Sequence, residues 1–303
     1  MTQPSTVCTK GIILAGGSGS RLAPMTLGCN KQLLPVYDKP LIYYPLSTLM
    51  LAGIQDVLLI SSPDEIHRFE SLFGNGSDLG IRMQYQVQPQ PDGLAQAFVL
   101  GESFIGNDPV ALILGDNVFY GDGFSKSLQA IAQNLTGATV FAHEVSDPSR
   151  YGVIELDAGG MPISIVEKPV HPKSNLVIPG IYFFDHRVVE FAKALRPSAR
   201  GEYEITDVIQ QYLNDRSLSV SRMGRGTVWL DTGTPMALLQ ASNFIAAIEQ
   251  RQGVRICCPE EIAARMGYIT PKDLRRLAES MESDYGAYLR SVARQLGHST
   301  IPS

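Results

Sequence analysis

The sequence predicts an α/β protein: a mixed, mainly parallel sheet flanked by helices, with a β-rich second half and a C-terminal helical appendix. Three observations predict it. Strand and helix patterns alternate from residue 11 to about residue 134, the stretches at 11–15, 56–61 and 110–116 each hold an unbroken apolar run, and a glycine-rich turn follows the first of them. Apolar runs of that kind suit strands covered on both faces, and the alternation implies parallel strands joined by right-handed crossovers, with ligands at their carboxyl ends.

Taken in order, GIILA at 11–15 is the first buried strand, residues 40–53 carry a mostly helical pattern, and DVLLIS at 56–61 is the second strand. Residues 64–73 form a short amphipathic helix, IRMQYQV at 81–87 alternates as a strand, and GLAQAFVLGESFI at 93–105 reads as one helix. VALILGD at 110–116 returns to a buried strand, and residues 124–134 are helical. After ATVFAHEV the texture changes, because YGVIELD, ISIVEKP and IPGIYFFD are strands joined by turns such as AGGMP. Helices resume at 186–195 and 204–214, LSVSRM and VWLD close the strands, and residues 235–250 form a long helix. PEEIAARM, PKDLRRLAESM and DYGAYLRSVARQL make the appendix.

A chain of 303 residues with 44% apolar content can bury a large core as one domain or two lobes. Its formal net charge of -5 argues against nucleic acid or an acidic membrane surface as a partner. MTQPSTVCTK is too polar for a signal peptide, and no apolar run approaches the ~20 residues that span a bilayer, so a cytoplasmic protein is expected. Cys8, Cys29, Cys257 and Cys258 show no CxxC spacing and read as reduced structural thiols. The histidines are scattered without metal spacing, so histidine chemistry is not indicated.

The stretch GIILAGGSGSRLAPMTLGCNKQLLP, residues 11–35, runs from a strand into a glycine-rich loop and then two cations. Gly16, Gly17 and Gly19 permit backbone angles closed to other residues, so the NH groups of this loop can converge on an anion. Arg21 and Lys31 add full positive charges, which points to a triphosphate site. It is not a Walker loop, because Ser20 and Arg21 follow Gly19 where Lys and a hydroxyl residue are required. Nor is it a dinucleotide fingerprint, because Leu22 stands at the third glycine position, which weakens a NAD-dependent oxidoreductase. By itself the stretch is also compatible with a solvated βα turn. Asp116 directly follows an apolar strand, where a carboxylate can hold Mg2+ or simply cap a turn. Asp231, Lys168, Tyr151 and the proline-rich QPQPDG turn carry no function on their own spacing.

Together with these residues, GIILAGGSGSRLAPMT, NKQLLPVYDKPLIYYPLSTLMLAGI, QPQPDGLAQAF, LGDNVFYG, RYGVIE, EKP, GEYEITD, WLDTGT and CPEEIA run in one order along nearly the whole chain. In this the chain resembles the sugar-1-phosphate nucleotidyltransferases. The resemblance implies a Rossmann-like fold and divides the chain into a flexible N-terminus (1–9), an α/β domain (10–252), a helical segment (253–296) and a flexible tail (297–303). Within the domain it implies a nucleotide half at about 10–137 and a sugar-phosphate half at about 138–235.

The resemblance assigns nucleotide binding to Leu14, Ala15, Gly16, Gly17, Ser18, Gly19, Ser20, Arg21, Lys31, Gln32 and Asp116, with Gln88, Pro91 and Gly93 at a pyrimidine base. It assigns the sugar phosphate to Asn117, Tyr151, Gly152, Glu167, Lys168, Ile178 and Tyr182, and a Mg2+ ion to Asp116 and Asp231. Arg21, Lys31 and Lys168 become the catalytic cations. The implied reaction moves a thymidylyl group from dTTP to glucose 1-phosphate, giving dTDP-glucose for dTDP-rhamnose synthesis. A uridylyl-transferring enzyme and a non-catalytic regulatory subunit of the same fold are the alternatives. A homotetramer with a second, feedback site for a dTDP-sugar is implied as well, although Asp122 would repel phosphate where relatives often carry histidine. Two further departures stand out: Ser20 replaces the commoner threonine and keeps its hydroxyl, and Pro179 replaces the usual small polar residue before Gly180.

Overall fold

A computed structural model of the chain describes residues 6–17 and 19–298. The first half contains, in chain order, β1 (Lys10–Leu14), β2 (Pro35–Val36), β3 (Lys39–Pro40), α1 (Tyr43–Leu51), β4 (Asp56–Ser61), α2 (Ile66–Phe73), β5 (Arg82–Val87), α3 (Gln96–Leu100), α4 (Glu102–Ile105), β6 (Val110–Leu114), β7 (Asn117–Tyr120) and α5 (Phe124–Gln133). The second half follows with β8 (Ala138–Glu144), β9 (Gly152–Leu156), β10 (Pro162–Glu167), β11 (Leu176–Val177), β12 (Ile181–Phe184), α6 (Val188–Ala194), α7 (Ile205–Asn214), β13 (Leu218–Arg222) and β14 (Val228–Asp231). Four helices complete the chain: α8 (Pro235–Gln252), α9 (Pro259–Arg265), α10 (Pro271–Glu279) and α11 (Asp284–His298).

The main sheet has ten strands in the order β10-β9-β11-β8-β12-β6-β1-β4-β5, with β13 beside β8. β1 lies between β4 and β6, parallel to both, so Ile12 faces Leu58 on one side and Leu112 on the other. β5 extends this parallel block, and β13 runs parallel to β8. The mixed character comes from β12, β11 and β10, which run against their neighbours. Apolar side chains leave β1 on both faces: Ile13 joins Leu46, Leu49, Leu59 and Phe69, whereas Ile12 and Leu14 join Leu58, Phe98 and Val208. That two-sided burial is why residues 12–14 of β1 are all apolar.

A small second sheet pairs β7 with β14 in antiparallel register, Asn117 opposite Asp231. The expected single helix at 93–105 is two, α3 and α4, broken at Gly101. A Cβ at Gly101 would lie 3.0 Å from the Ala97 carbonyl oxygen and 3.1 Å from Ile12 Cδ1, so the glycine lets this corner press against β1. The termini are also better held than expected. Thr6 pairs with Leu135, the Cys8 N–H donates to the Ala132 carbonyl at 2.7 Å, and Gly297 and His298 belong to α11. The remainder of the expected flexible ends, 1–5 and 299–303, lies outside the described residues. Among the described residues, all the cysteines are free and no helix is long and apolar enough to cross a membrane.

Candidate active site

β1 delivers the glycine loop to the carboxyl edge of the sheet. Its end is pinned on both sides: the Gly115 N–H donates to the Leu14 carbonyl at 2.9 Å and the Ala15 N–H to the Ile60 carbonyl at 2.7 Å. The glycines serve different ends. Gly19 alone takes a positive φ, 60°, while Gly16 is required by close approach, since a Cβ there would sit 2.0 Å from Gln88 Oε1. Gly17 shows neither constraint, so the expectation that all three supply special backbone angles holds for Gly19 only. Ser18 lies outside the described residues. After the loop, a single 3-10 turn, Ser20–Leu22, carries Arg21, anchored by the buried Leu22 beside it.

Lys31 sits on a second 3-10 turn, Lys31–Leu33, whose first turn is capped by Asn30 Oδ1 accepting from the Gln32 N–H at 2.8 Å. Lys31 is only 6% exposed and its Nζ pairs with Asp116 Oδ2. Gln32 is buried at the same place, its Cγ against Gly115 and its Oε1 without a hydrogen-bond partner among the described residues.

The pairing of β7 with β14 brings the two predicted metal carboxylates together. Thr232, next to Asp231, donates its hydroxyl to the Asp116 carbonyl at 2.8 Å. The turn after Asp231 ends on Thr234, which caps α8 by accepting from the Ala237 N–H, with Pro235 at the first helical position. Burial, and then the neighbouring Asp116, hold the Asp231 carboxyl above its ordinary pKa; Lys31, Arg21 and Arg150 pull it back. Arg150 Nη2 lies 3.7 Å from Asp231 Oδ2, and Arg21 is close enough that a Cβ on Gly233 would lie 3.0 Å from both Arg21 Nη2 and Asp231 Oδ1. Two adjacent, partly buried carboxylates fit Mg2+, which takes few carboxylates and fills its remaining positions with phosphate oxygens and water. Among the described residues no group of three or more acidic, cysteine or histidine ligands occurs, so a cage supplied by protein alone is absent.

Arg21, Asp116, Asn117 and Asp231 line a cleft of about 330 Å³ together with Tyr151, Gly152, Glu167, Lys168, Ile178 and Tyr182. β9 and β10 position Tyr151, Gly152, Glu167 and Lys168, with the Lys168 N–H donating to the Tyr151 carbonyl at 3.0 Å, whereas Ile178 follows β11 and Tyr182 lies on β12. Lys168 has φ 42°, unusual for a residue with a Cβ, and its Nζ lies 3.5 Å from Glu167 Oε1. Burial raises the Glu167 pKa; Lys168 opposes this, Glu204 adds to it and Arg200 opposes it. Gly152 has room for no side chain, since a Cβ would lie 2.8 Å from Thr206 Cγ2. After Pro179, the N–H of Gly180 donates to Asn117 Oδ1 at 3.1 Å.

Gln88, Pro91 and Gly93 are not part of that lining. Gln88 is buried beside Gly16, whereas Pro91 is exposed. Gly93, at φ 122°, packs on the backbone of Tyr203, where a Cβ would come within 2.4 Å of the carbonyl oxygen.

Trp229, Arg150 and Arg200 are among the cleft residues that escaped the residue-by-residue reading. Trp229 donates its Nε1–H to Asn117 Oδ1 at 2.5 Å and packs edge-on to Tyr151. Arg150 lies beside Tyr151, and Arg200 bridges Glu204 at 2.8 Å and approaches Glu167 at 3.8 Å. Each adjoins or belongs to a quoted motif, RYG, GEYEITD or WLDTGT, so the signal was local, although the contacts to Asn117, Asp231 and Glu167 are not.

A family model for nucleotidyl transferases matches residues 10–248. The chain belongs to the nucleotidyl transferase family. It is similar to the glucose-1-phosphate thymidylyltransferase of Neisseria gonorrhoeae, 57% identical over 92% of this chain and 98% of that one. The Mycobacterium tuberculosis (strain CDC 1551 / Oshkosh) glucose-1-phosphate thymidylyltransferase is 55% identical over 92% and 97%. A UDP-glucose pyrophosphorylase solved with UDP-glucose superposes with a TM-score of 0.71, covering 81% of this nucleotidyl transferase and all of that chain at 26% identity.

Proposed function

We propose that this nucleotidyl transferase moves a thymidylyl group from dTTP to α-D-glucose 1-phosphate, releasing pyrophosphate and forming dTDP-glucose. One observation carries the reading: a single cleft is lined both by Arg21, Asp116 and Asp231 and by Glu167 and Lys168, so two phosphate-bearing substrates can meet within it. Relatives named for this activity at 57% and 55% identity support it. The uridylyl-transferring alternative is not favoured, because the UDP-glucose pyrophosphorylase match is far lower at 26%. No observation favours a non-catalytic subunit, since the cations and carboxylates the reaction needs are all retained.

The nucleotide half, about 10–137, would bind dTTP through residues 14–21, Lys31 and Gln32, with Gln88, Pro91 and Gly93 toward the base. The sugar-phosphate half, about 138–235, would bind the sugar through Tyr151, Gly152, Glu167, Ile178 and Tyr182, with Asn117 between the halves. A phosphate oxygen of glucose 1-phosphate is already ionised at neutral pH, so its attack on the α-phosphorus needs no general base and no covalent enzyme intermediate. The work is positioning and charge stabilisation. Lys168 orients the attacking phosphate, Lys31 stabilises charge at the α-phosphate, and Arg21 holds the β and γ phosphates as pyrophosphate departs. Asp116 and Asp231 would hold Mg2+, which when bound neutralises triphosphate charge. The reading extends to a cytoplasmic homotetramer with a second dTDP-sugar site near Asp122.

The test is pyrophosphate release by purified protein with Mg2+ and glucose 1-phosphate, comparing dTTP, UTP, CTP, ATP and GTP. Fastest release with dTTP is expected; release with UTP alone, or none with any nucleotide, contradicts the reading.

A further inference from the structure

We propose that Asp92 and Gln96 fix the polarity of the Gln88 amide and thereby select a nucleobase that carries a hydrogen on N3. The inference rests on the reading that the base lies against Gln88. An amide presents a donor on one side and an acceptor on the other in nearly the same shape, so its partners decide which side faces a ligand.

Here the chain of partners starts from a group without ambiguity. The ionised Asp92 carboxylate only accepts, so Gln96 meets it with Nε2, at 3.1 Å. Gln96 Oε1 is consequently turned away and accepts from the Asp92 backbone N–H at 3.4 Å and from Gln88 Nε2 at 2.6 Å. Gln88 is left with one orientation. Its Nε2 is committed to Gln96, and its Oε1 stands over Gly16, paired with no donor among the described residues. The start of the relay is itself fixed to the scaffold, because the Tyr203 N–H donates to the Asp92 carbonyl at 2.7 Å and the Ala95 N–H to the Tyr203 carbonyl at 3.1 Å.

An acceptor held at that place matches thymine and uracil, whose N3 is a donor, and opposes cytosine, whose N3 is an acceptor. It does not distinguish thymine from uracil, which differ by a methyl group remote from N3. Gln96 is therefore a positioning residue acting through Gln88.

The experiment measures kcat/KM for dTTP, UTP and dCTP, and thermal unfolding, in the parent protein and in Gln88→Met, Gln96→Met and the double variant D92N/Q96E. Met keeps the bulk and helix preference of Gln while removing its amide. In the double variant the new amide at position 92 can donate to the new carboxylate at position 96, which still accepts from Gln88. The expected result is a dTTP-over-dCTP preference that falls about tenfold or more in Gln96→Met, with the dTTP-to-UTP ratio unchanged, and returns in D92N/Q96E. Should Gln96→Met not fold, the double variant decides: preserved preference supports the relay and lost preference overturns it. Lost preference in Gln88→Met together with full preference in Gln96→Met overturns the relay alone. Full preference in Gln88→Met overturns the placement of the base.

Discussion

Lys31 pairs with Asp116 in the free protein, and in the proposed reaction it would stabilise charge on the bound nucleotide. Removing a donor that acts in the transition state costs about 3 kcal/mol, so Lys31→Ala should lower turnover on the order of 100-fold with dTTP and metal saturating. Near-parental turnover under those conditions would contradict its role. Trp229 acts one step further out. Its indole N–H and the Gly180 N–H both donate to Asn117 Oδ1, which turns the Asn117 amide nitrogen toward Asp116 Oδ1, 2.7 Å away. Trp229→Phe keeps most of the ring packing and removes only that donor, worth about 1 kcal/mol when its acceptor stays partly satisfied. We expect turnover to fall several-fold and Mn2+ binding, followed by its paramagnetic resonance signal, to weaken while the melting temperature barely moves. Unchanged Mn2+ affinity would remove Trp229 from the chain that aims Asp116.

Among the elements, those governed by local pattern were legible in the sequence. The apolar runs became β1, β4 and β6, the long helix expected at 235–250 became α8, and PKDLRRLAESM became α10. What was not legible depends on distant pairing. Nothing in VFY or VWLD separately says that β7 and β14 are partners, yet that pairing alone sets Asp116 beside Asp231. Likewise, the antiparallel insertion of β12 between β6 and β8 leaves no mark on IYFF, whose residues are buried as those of a parallel strand would be. Family resemblance supplied the carboxylate link that residue patterns could not, while Arg150, Arg200 and Trp229 went unassigned because the contacts that tie them to the cleft, to Asp231, Glu167 and Asn117, are distant in the chain.

The appendix adds a stability prediction at the same scale. Burial raises the Glu260 pKa above the ordinary 4.5, against hydrogen bonds from Tyr285, its own backbone and Cys258. Between the unfolded value and that raised value the folded chain keeps a proton that the unfolded chain has released. The Glu260 contribution to stability therefore falls as pH rises through that window and is level above it. Glu260→Gln removes the titration, so parent minus variant stability should decline from about pH 4.5 upward, as measured by chemical denaturation. A difference independent of pH would contradict the burial account of Glu260.

At the scale of the whole molecule, the sheet carries the glycine-rich loop at the end of β1, and the β7–β14 pair and the ends of β9 and β10 contribute Asn117, Asp231, Gly152 and Glu167 to one cleft, where the proposed substrates would meet. This arrangement needs no nucleophilic side chain, and its central claim is that one substrate attacks the other directly. The stereochemical course at the α-phosphorus tests that most directly, using dTTP with a chiral sulfur-substituted α-phosphate and glucose 1-phosphate. Direct in-line attack predicts a dTDP-glucose analogue of inverted configuration with no label on the protein. Retained configuration, or a nucleotidylated enzyme, would contradict the account.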